Sequence, residues 1–337
     1  MITITLYSRK MNLECDQVRL DLQALQNEFS FQMVEIDISS DSALEKAFGD
    51  SIPVIDIGPY RLRYPFKSQD LQVALGAAKD RQVHYEKVGD VVYKNRLERG
   101  HTISRADLFS QWFSNHYMLV LNLAIFIFTV LPFAAPIFMK IGAVNPAKVV
   151  YAIYRPLCHQ LAYRSWFLFG PQAAYPRALA EVPGLITFEQ ATGIPPENVE
   201  DARAFIGNDN LGYKVAFCER DIAIYGSILL FGLLFVIRGR RIKSIPWYLW
   251  FIIGILPIAL DGFSQLPSLI NTTFPVWVPI RESTPFLRTL TGFLFGFTTA
   301  WFGFPYIEES MLDNRRVLAQ KIAVNNQMKK ISKAPSS

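Results

Sequence analysis

Up to residue 110 the hydrophobic positions alternate with, or recur at helical spacing among, charged residues; from 111 to 310 they fuse into long uncharged runs. Ile2-Thr3-Ile4-Thr5-Leu6-Tyr7 alternates as a strand does, with no basic n-region to make it a signal peptide. Residues 14–29 carry Val18, Leu22, Leu25 and Phe29 at helical spacing, and 31–37 read as a second strand. A short helix over 41–48, a third strand from Ile52 to Ile55, a hairpin after Ile57 and a helix over 67–78 follow. This βαβαβ order predicts a small α/β sheet domain over 1–85.

The second half reads as membrane. Tyr117–Met139, Ile222–Ile237, Ile245–Leu260 and Thr289–Ile307 are the predicted spans, each an uncharged run. Pro132 and Pro136 predict a kink near the end of the first. Thr284-Pro285 is an N-cap followed by a favourable first helical residue. The segment 147–170 is helix-like but carries Lys148, Arg155, His159 and Arg164. Basic clusters at Arg238–Lys243 and in the tail (Arg315, Arg316, Lys329, Lys330) should face the cytoplasm, as should the basic stretch Lys94–Arg105 after the head. Four spans satisfy all three, with 147–170 interfacial or re-entrant; a fifth span there is the alternative. The expected organisation is a cytosolic head (1–85), a juxtamembrane linker (86–116), a helical membrane domain (117–310) with an outer excursion (171–220), and a cytosolic basic tail (311–337). Both termini are then cytoplasmic in a multi-pass cell-membrane protein.

Composition agrees. Of 337 residues 51% are hydrophobic and 19% charged, which excludes a wholly soluble, disordered or disulfide-dense secreted protein. The net charge of +5 is modest, and its basic residues gather at membrane edges, so nucleic acid is not an expected partner. The bilayer is; a membrane complex or homo-oligomer is a further candidate. No P-loop, Rossmann fingerprint or Gly-x-Ser-x-Gly elbow is present.

Tyr7-Ser8-Arg9, Cys15-Asp16 at the start of a helix, and Ile52-Pro53-Val54 make the head resemble the glutaredoxin-like members of the thioredoxin superfamily. The resemblance implies a thiol activated at a helix N-terminus and a cis proline at Pro53 beside it. The family's Cys-x-x-Cys is here Asn12-Leu13-Glu14-Cys15, so a dithiol cycle within the head is excluded, and Glu14 is expected to disfavour the Cys15 thiolate. A degenerate docking or structural domain is favoured over monothiol chemistry.

The polar residues hardest to explain as packing fall at one membrane level on the predicted outer side. They are Cys158, His159, Gln160, Arg164, Cys218, Arg220, Asp221, Asp261, Gln265, Glu282 and Arg288. Four readings compete: structural Asp261–Arg288 and Glu282–Arg220 pairs; a Cys158–Cys218 disulfide; a Zn or Cu site of Cys158, His159 and Cys218 with Asp221 or Asp261; and Arg164, Arg220 and Arg288 holding an anion, with Asp261 or Glu282 as acid/base. Cys158-His159-Gln160, Cys218-x-Arg220, Asp261-Gly262-x-x-Gln265 and Glu282-Ser283-Thr284-x-x-Leu287-Arg288 together resemble an uncharacterised family of predicted prokaryotic membrane proteins, over about 150–300. Its members commonly carry a further Cys where this chain has Asp221.

The sequence therefore predicts an α/β thioredoxin-like domain fused to an all-α polytopic membrane domain, with an outward-facing site for thiol redox or metal handling. The alternatives are a lipid- or solute-handling enzyme or transporter, and a non-catalytic subunit or assembly factor that docks through its head. Whether the protein is an enzyme stays open at this stage.

Overall fold

The computed structural model describes residues 2–40, 44–45, 48–88, 102–195, 197–266 and 281–333. Most of the expected 41–48 helix and the middle of the expected linker lie outside them. The chain divides into two compact units, Met1–His116 with Glu309–Ser337, and Tyr117–Glu308.

The first unit is built on a four-stranded sheet ordered β2-β1-β3-β4, from β1 (Ile2–Ser8), β2 (Phe31–Asp37), β3 (Val54–Ile57) and β4 (Tyr60–Arg63). β1 pairs parallel with β2 and antiparallel with β3. Helices α1 (Leu13–Leu25) and α2 (Ser68–Val88) cover one face, burying Ile4, Leu6, Leu22, Ile55, Leu71 and Leu75. Tyr7, Val34, Ile36 and Val54 point to the other face, where Ala319, Ala323, Val324 and Met328 pack. A strand covered on both faces is buried on both, as β1 is from Ile4 to Ser8.

The third strand begins at Val54 rather than Ile52, since Pro53 has no N–H to give a ladder. The helix starting near 67 runs ten residues past the expected end at 78, to Val88 at the start of the expected linker. Residues 311–333, within the expected basic tail, are helical. They continue the last helix, and their small apolar residues cover the second sheet face while Lys321 pairs with Asp107 at 2.7 Å.

Helix α3 (Arg105–Val130), which belongs to the second unit from Tyr117 on, breaks at a 3-10 turn, Leu131–Phe133, and resumes as α4 (Ala134–Lys140), where Pro132 and Pro136 interrupt the hydrogen-bond ladder as expected. After α5 (Val144–Tyr154) come β5 (Ser165–Leu168), the short α6 (Phe188–Thr192) and α7 (Val199–Ala204), β6 (Gly207–Asn208) and β7 (Gly212–Cys218). The three strands form an antiparallel sheet ordered β5-β7-β6. Segment 147–170 is thus not one helix: α5 stops at Tyr154, ahead of Pro156, and the chain turns into β5, so a fifth helical span is not formed there. Then follow α8 (Glu219–Ile237), α9 (Trp247–Phe263) and α10 (Pro285–Lys333), of which the first part belongs to this unit. α9 contains a π-helical stretch, Trp250–Ile255, just before Pro257, which cannot donate an α-helical bond. The Thr284 hydroxyl accepts from the Leu287 N–H at 3.1 Å and caps α10 as predicted.

Among the described residues two helical stretches are long and apolar enough to cross a membrane, the 36 residues Arg105–Lys140 and the 19 residues Glu219–Ile237. Only 28% and 22% of their most apolar windows are buried within the molecule, unlike the core helices of a soluble protein. Trp247–Phe263 is shorter, and the fourth expected span is diluted by threonines and glycines. Those glycines have a packing role. A Cβ on Gly292 would meet the Arg220 carbonyl, and one on Gly296 the Ile224 carbonyl and Ser227 hydroxyl, so α8 and α10 touch backbone to backbone. Gly296→Val is expected to destabilise this unit by about 1–3 kcal/mol through overpacking; a detergent thermal melt reads it, with Gly303→Val, where a Cβ meets open space, staying near wild type.

Candidate functional site

In the first unit Asn12 caps α1, its side chain accepting from the Cys15 N–H at 2.9 Å. The residue in the position of the missing cysteine is therefore a helix cap. Cys15 is fully buried, and Pro53 follows a cis peptide bond as the resemblance implies. Burial pushes the Cys15 thiol up, with Glu35 and Asp16 adding to it, so the neighbours that matter are these rather than Glu14. A buried, protonated thiol is a poor nucleophile. Native alkylation should leave Cys15 unlabelled until the protein is denatured, and early labelling of Cys15 would contradict this placement.

In the second unit two polar assemblies flank the N-terminal end of α8. The first consists of thiols. Cys158 lies in the turn that follows α5, its N–H bonded to the Tyr154 carbonyl at 3.0 Å. Gln160 fixes this turn, donating through Nε2 to the Tyr151 and Ala216 carbonyls at 2.9 Å each. Tyr154 packs edge-on against Phe217, its ring centroid 5.0 Å away. Cys218 closes β7 and is the residue preceding α8. The sulfurs of Cys158 and Cys218 and a carboxylate oxygen of Asp221 all lie within 4.8 Å of one another, and the Cys218 thiol donates to Asp221 Oδ2 at 2.8 Å. Both cysteines are free thiols here. The neighbouring Cys158 thiol, burial and the Asp221 carboxylate together push the Cys218 thiol well up. His159 does not join them: its side chain is exposed, and the residue contributes its carbonyl to Arg203 Nε at 3.1 Å.

The second assembly is ionic. Glu282, with its side chain 0% exposed, is met by Arg164 at 2.6 Å, Arg177 at 3.5 Å and, in a very short contact, Arg288. Arg288 also reaches Glu219 at 3.5 Å, Gln265 Oε1 at 3.3 Å and the Tyr163 carbonyl at 3.3 Å. Asp261 is held by Arg220, again in a very short contact, by Arg281 at 3.4 Å, by the Ser283 hydroxyl at 3.0 Å and by Gln265 Nε2 at 3.3 Å. Asp261 and Gln265 share a face, as their spacing predicts. The expected pairs are exchanged: Arg220 serves Asp261 and Arg288 serves Glu282. Arg288 lies one turn into α10, close to the Glu282 that precedes that helix, whereas Arg220 projects toward α9. Each of the five arginines in this group, Arg164, Arg177, Arg220, Arg281 and Arg288, meets at least one of the carboxylates Glu219, Asp261 and Glu282.

Sequence reasoning missed Glu219, Arg177, Arg281 and Lys214, and quoted Ser283 only within a motif. For Glu219 a signal existed, the charged run Glu219-Arg220-Asp221 immediately before an apolar stretch. Lys214 gives none, because it sits inside the strand GYKVAFC. It is 1% exposed, and its ammonium donates to the carbonyls of Gln160 and Arg203 at 2.8 and 2.6 Å. Burial lowers its pKa to about 7.

Residues 3–76 match the family model described as a glutaredoxin-like domain (DUF836), and residues 202–302 match the one described as a predicted membrane protein (DUF2085). The second match takes in Cys218, Asp221, Asp261, Gln265, Glu282 and Arg288 but stops short of Cys158 and Arg164, and so is narrower than the sequence motifs implied. An uncharacterized protein of Methanocaldococcus jannaschii is 27% identical over 201 residues, 57% of this chain and 94% of its own length. No solved structure matches the chain. The chain thus couples a segment similar to glutaredoxin-like domains with one similar to a family of predicted membrane proteins.

Proposed function

We propose that this protein is a multi-pass membrane protein that handles a soft or borderline cation, Zn or Cu, at Cys158, Cys218 and Asp221, with the head as a docking module. The observation that carries the reading is the convergence of two thiols and a carboxylate within 4.8 Å at the start of α8. Thiolate sulfur suits Zn and Cu(I), and three protein ligands leave a position through which a cation can exchange. Binding is coupled to proton release: each thiol gives its proton to solvent as its sulfur bonds to the metal. The positive end of the α8 dipole, beside Cys218, offsets part of the negative charge that two thiolates and a carboxylate bring. Asp221 takes the third ligand position, where the family resemblance has cysteine.

The proposed topology keeps four spans near Tyr117–Met139, Ile222–Ile237, Ile245–Leu260 and Thr289–Ile307, both termini cytoplasmic, and the thiol site on the outer side. The proposed limits are a head over 1–85, a linker 86–116, a membrane domain 117–310 and a C-terminal segment 311–337. A docking role for the head rests on its lone buried Cys15. Acid/base or anion-binding roles for Asp261, Glu282, Arg164, Arg220 and Arg288 are disfavoured by their mutual pairing.

One other reading has a specific observation behind it: the same closeness of Cys158 and Cys218 suits a dithiol that cycles to a disulfide, on the side where one persists. Thiol counting separates the two. Metal-free protein purified without reductant is alkylated under native conditions with or without Zn, then denatured, labelled with a second reagent and weighed intact. Metal handling predicts that Zn shields Cys158 and Cys218 from the first reagent and that all three thiols take label in total. A total of one label, at Cys15, assigns the pair to a disulfide and removes the metal site.

A further inference from the structure

A cavity of about 250 Å³ opens between α5, α7 and β7, separate from the carboxylates of the ionic network. Lys148, Arg155, Arg203 and the buried Lys214 line it, and Glu200 is the only carboxylate that does so among the described residues. Glu200 is largely exposed and turned to Arg203 at 3.5 Å. Lys148 and Arg155 have no ion pair among the described residues, and Lys214 has no carboxylate within pairing distance. A buried ammonium held only by carbonyl oxygens is costly to keep dry and is relieved by an anion placed beside it. The wall beside it adds a second observation. Val149 and Ile153 lie one turn apart on α5, followed by Leu157, and are 58%, 50% and 57% exposed. An apolar stripe next to basic side chains is the arrangement of an interfacial helix at an anionic membrane surface.

We propose that this cavity binds a phosphate group, with Lys148, Arg155, Arg203 and Lys214 as its donors. Guanidinium forks and ammonium groups are the donors phosphate oxygens take up best, and the stripe of Val149, Ile153 and Leu157 makes the headgroup of an anionic phospholipid the leading source. The inference is independent of the thiol site: it uses none of the proposed metal ligands.

The test uses the full chain in nanodiscs of phosphatidylglycerol or of phosphatidylcholine, with lipids retained after release counted by native mass spectrometry. Inorganic phosphate binding in detergent is measured alongside. Lys148→Glu with Arg155→Glu disturbs only exposed side chains without an ion pair among the described residues; Lys79→Glu with Arg81→Glu, exposed on α2 of the first unit, is the control. Wild type and control should retain phosphatidylglycerol over phosphatidylcholine, and the double variant at 148 and 155 should lose about tenfold or more of that preference. If inorganic phosphate binds and is lost in the same variant while lipid preference is absent, the phosphate comes from a soluble ligand. Equal retention of the two lipids with no phosphate binding, or a 148/155 variant that behaves as wild type in both assays, overturns the proposal. A melt of each variant confirms that it is folded.

Discussion

Glu282→Ala is expected to destabilise the Tyr117–Glu308 unit by about 3–5 kcal/mol, the penalty for leaving buried charge without its partner. The size follows from convergence. Arg164, Arg177 and Arg288 all meet this one carboxylate, and its side chain is 0% exposed. With it gone, Arg288 keeps only Glu219 at 3.5 Å as a charged partner, while Arg164 has no other ion pair among the described residues. Glu282→Gln retains the shape and two polar atoms but not the charge, and should fall between alanine and wild type. The contrast is Asp16→Ala in the head, where the pair with Arg19 is solvent-exposed and worth about 0–1 kcal/mol. Thermal unfolding in detergent, followed by near-UV signal, compares all three. A Glu282→Ala protein within about 1 kcal/mol of wild type would contradict the hub, since that is the range of an exposed pair.

Serine at either Cys158 or Cys218 is expected to abolish tight Zn binding. Loss of a second-sphere partner costs a metal site about 10–100-fold in affinity, and loss of a thiolate ligand should exceed that. Asp221→Asn should be milder, because the amide oxygen still offers a neutral donor where the carboxylate stood. Asp261→Asn should leave Zn affinity near wild type while lowering stability, because Asp261 is engaged by Arg220, Arg281 and Ser283 and takes no part in the thiol cluster. That opposite ranking of Cys218→Ser and Asp261→Asn separates a metal site from an anion- or solute-handling one. Isothermal titration with Zn in a weak competing chelator reads both affinities.

The head was largely legible because its signals are local. Alternation in Ile2–Tyr7 and the spacing of Val18, Leu22 and Leu25 each report a face, and the structure buries those faces. What escaped was the cover on the second sheet face. Ala319, Ala323, Val324 and Met328 are few and set among polar residues, so they do not mark a core-facing helix, and they pack on strands some 260 or more positions earlier in the chain. The candidate site was legible as a set of residues but not as pairs. Ionisable side chains beside apolar runs stand out by their cost, whereas which arginine meets which carboxylate depends on the approach of α8, α9 and α10, which hydrophobic periodicity does not encode. The small sheet of β5, β6 and β7 was hidden for a related reason. β7 is buried on both faces and has Lys214 at its centre, so it shows neither alternation nor a clean apolar run.

If Cys158, Cys218 and Asp221 form a cation site, the protein carries its ion in fixed stoichiometry. Full-length protein, expressed with added Zn or Cu and purified without chelator, is weighed by native mass spectrometry beside the Cys158→Ser and Cys218→Ser variants. The account predicts one metal ion per wild-type chain and none in either variant, with the variants still folded by their melts. A folded wild-type chain with no metal under every loading condition, or variants that keep the same ion, would contradict it.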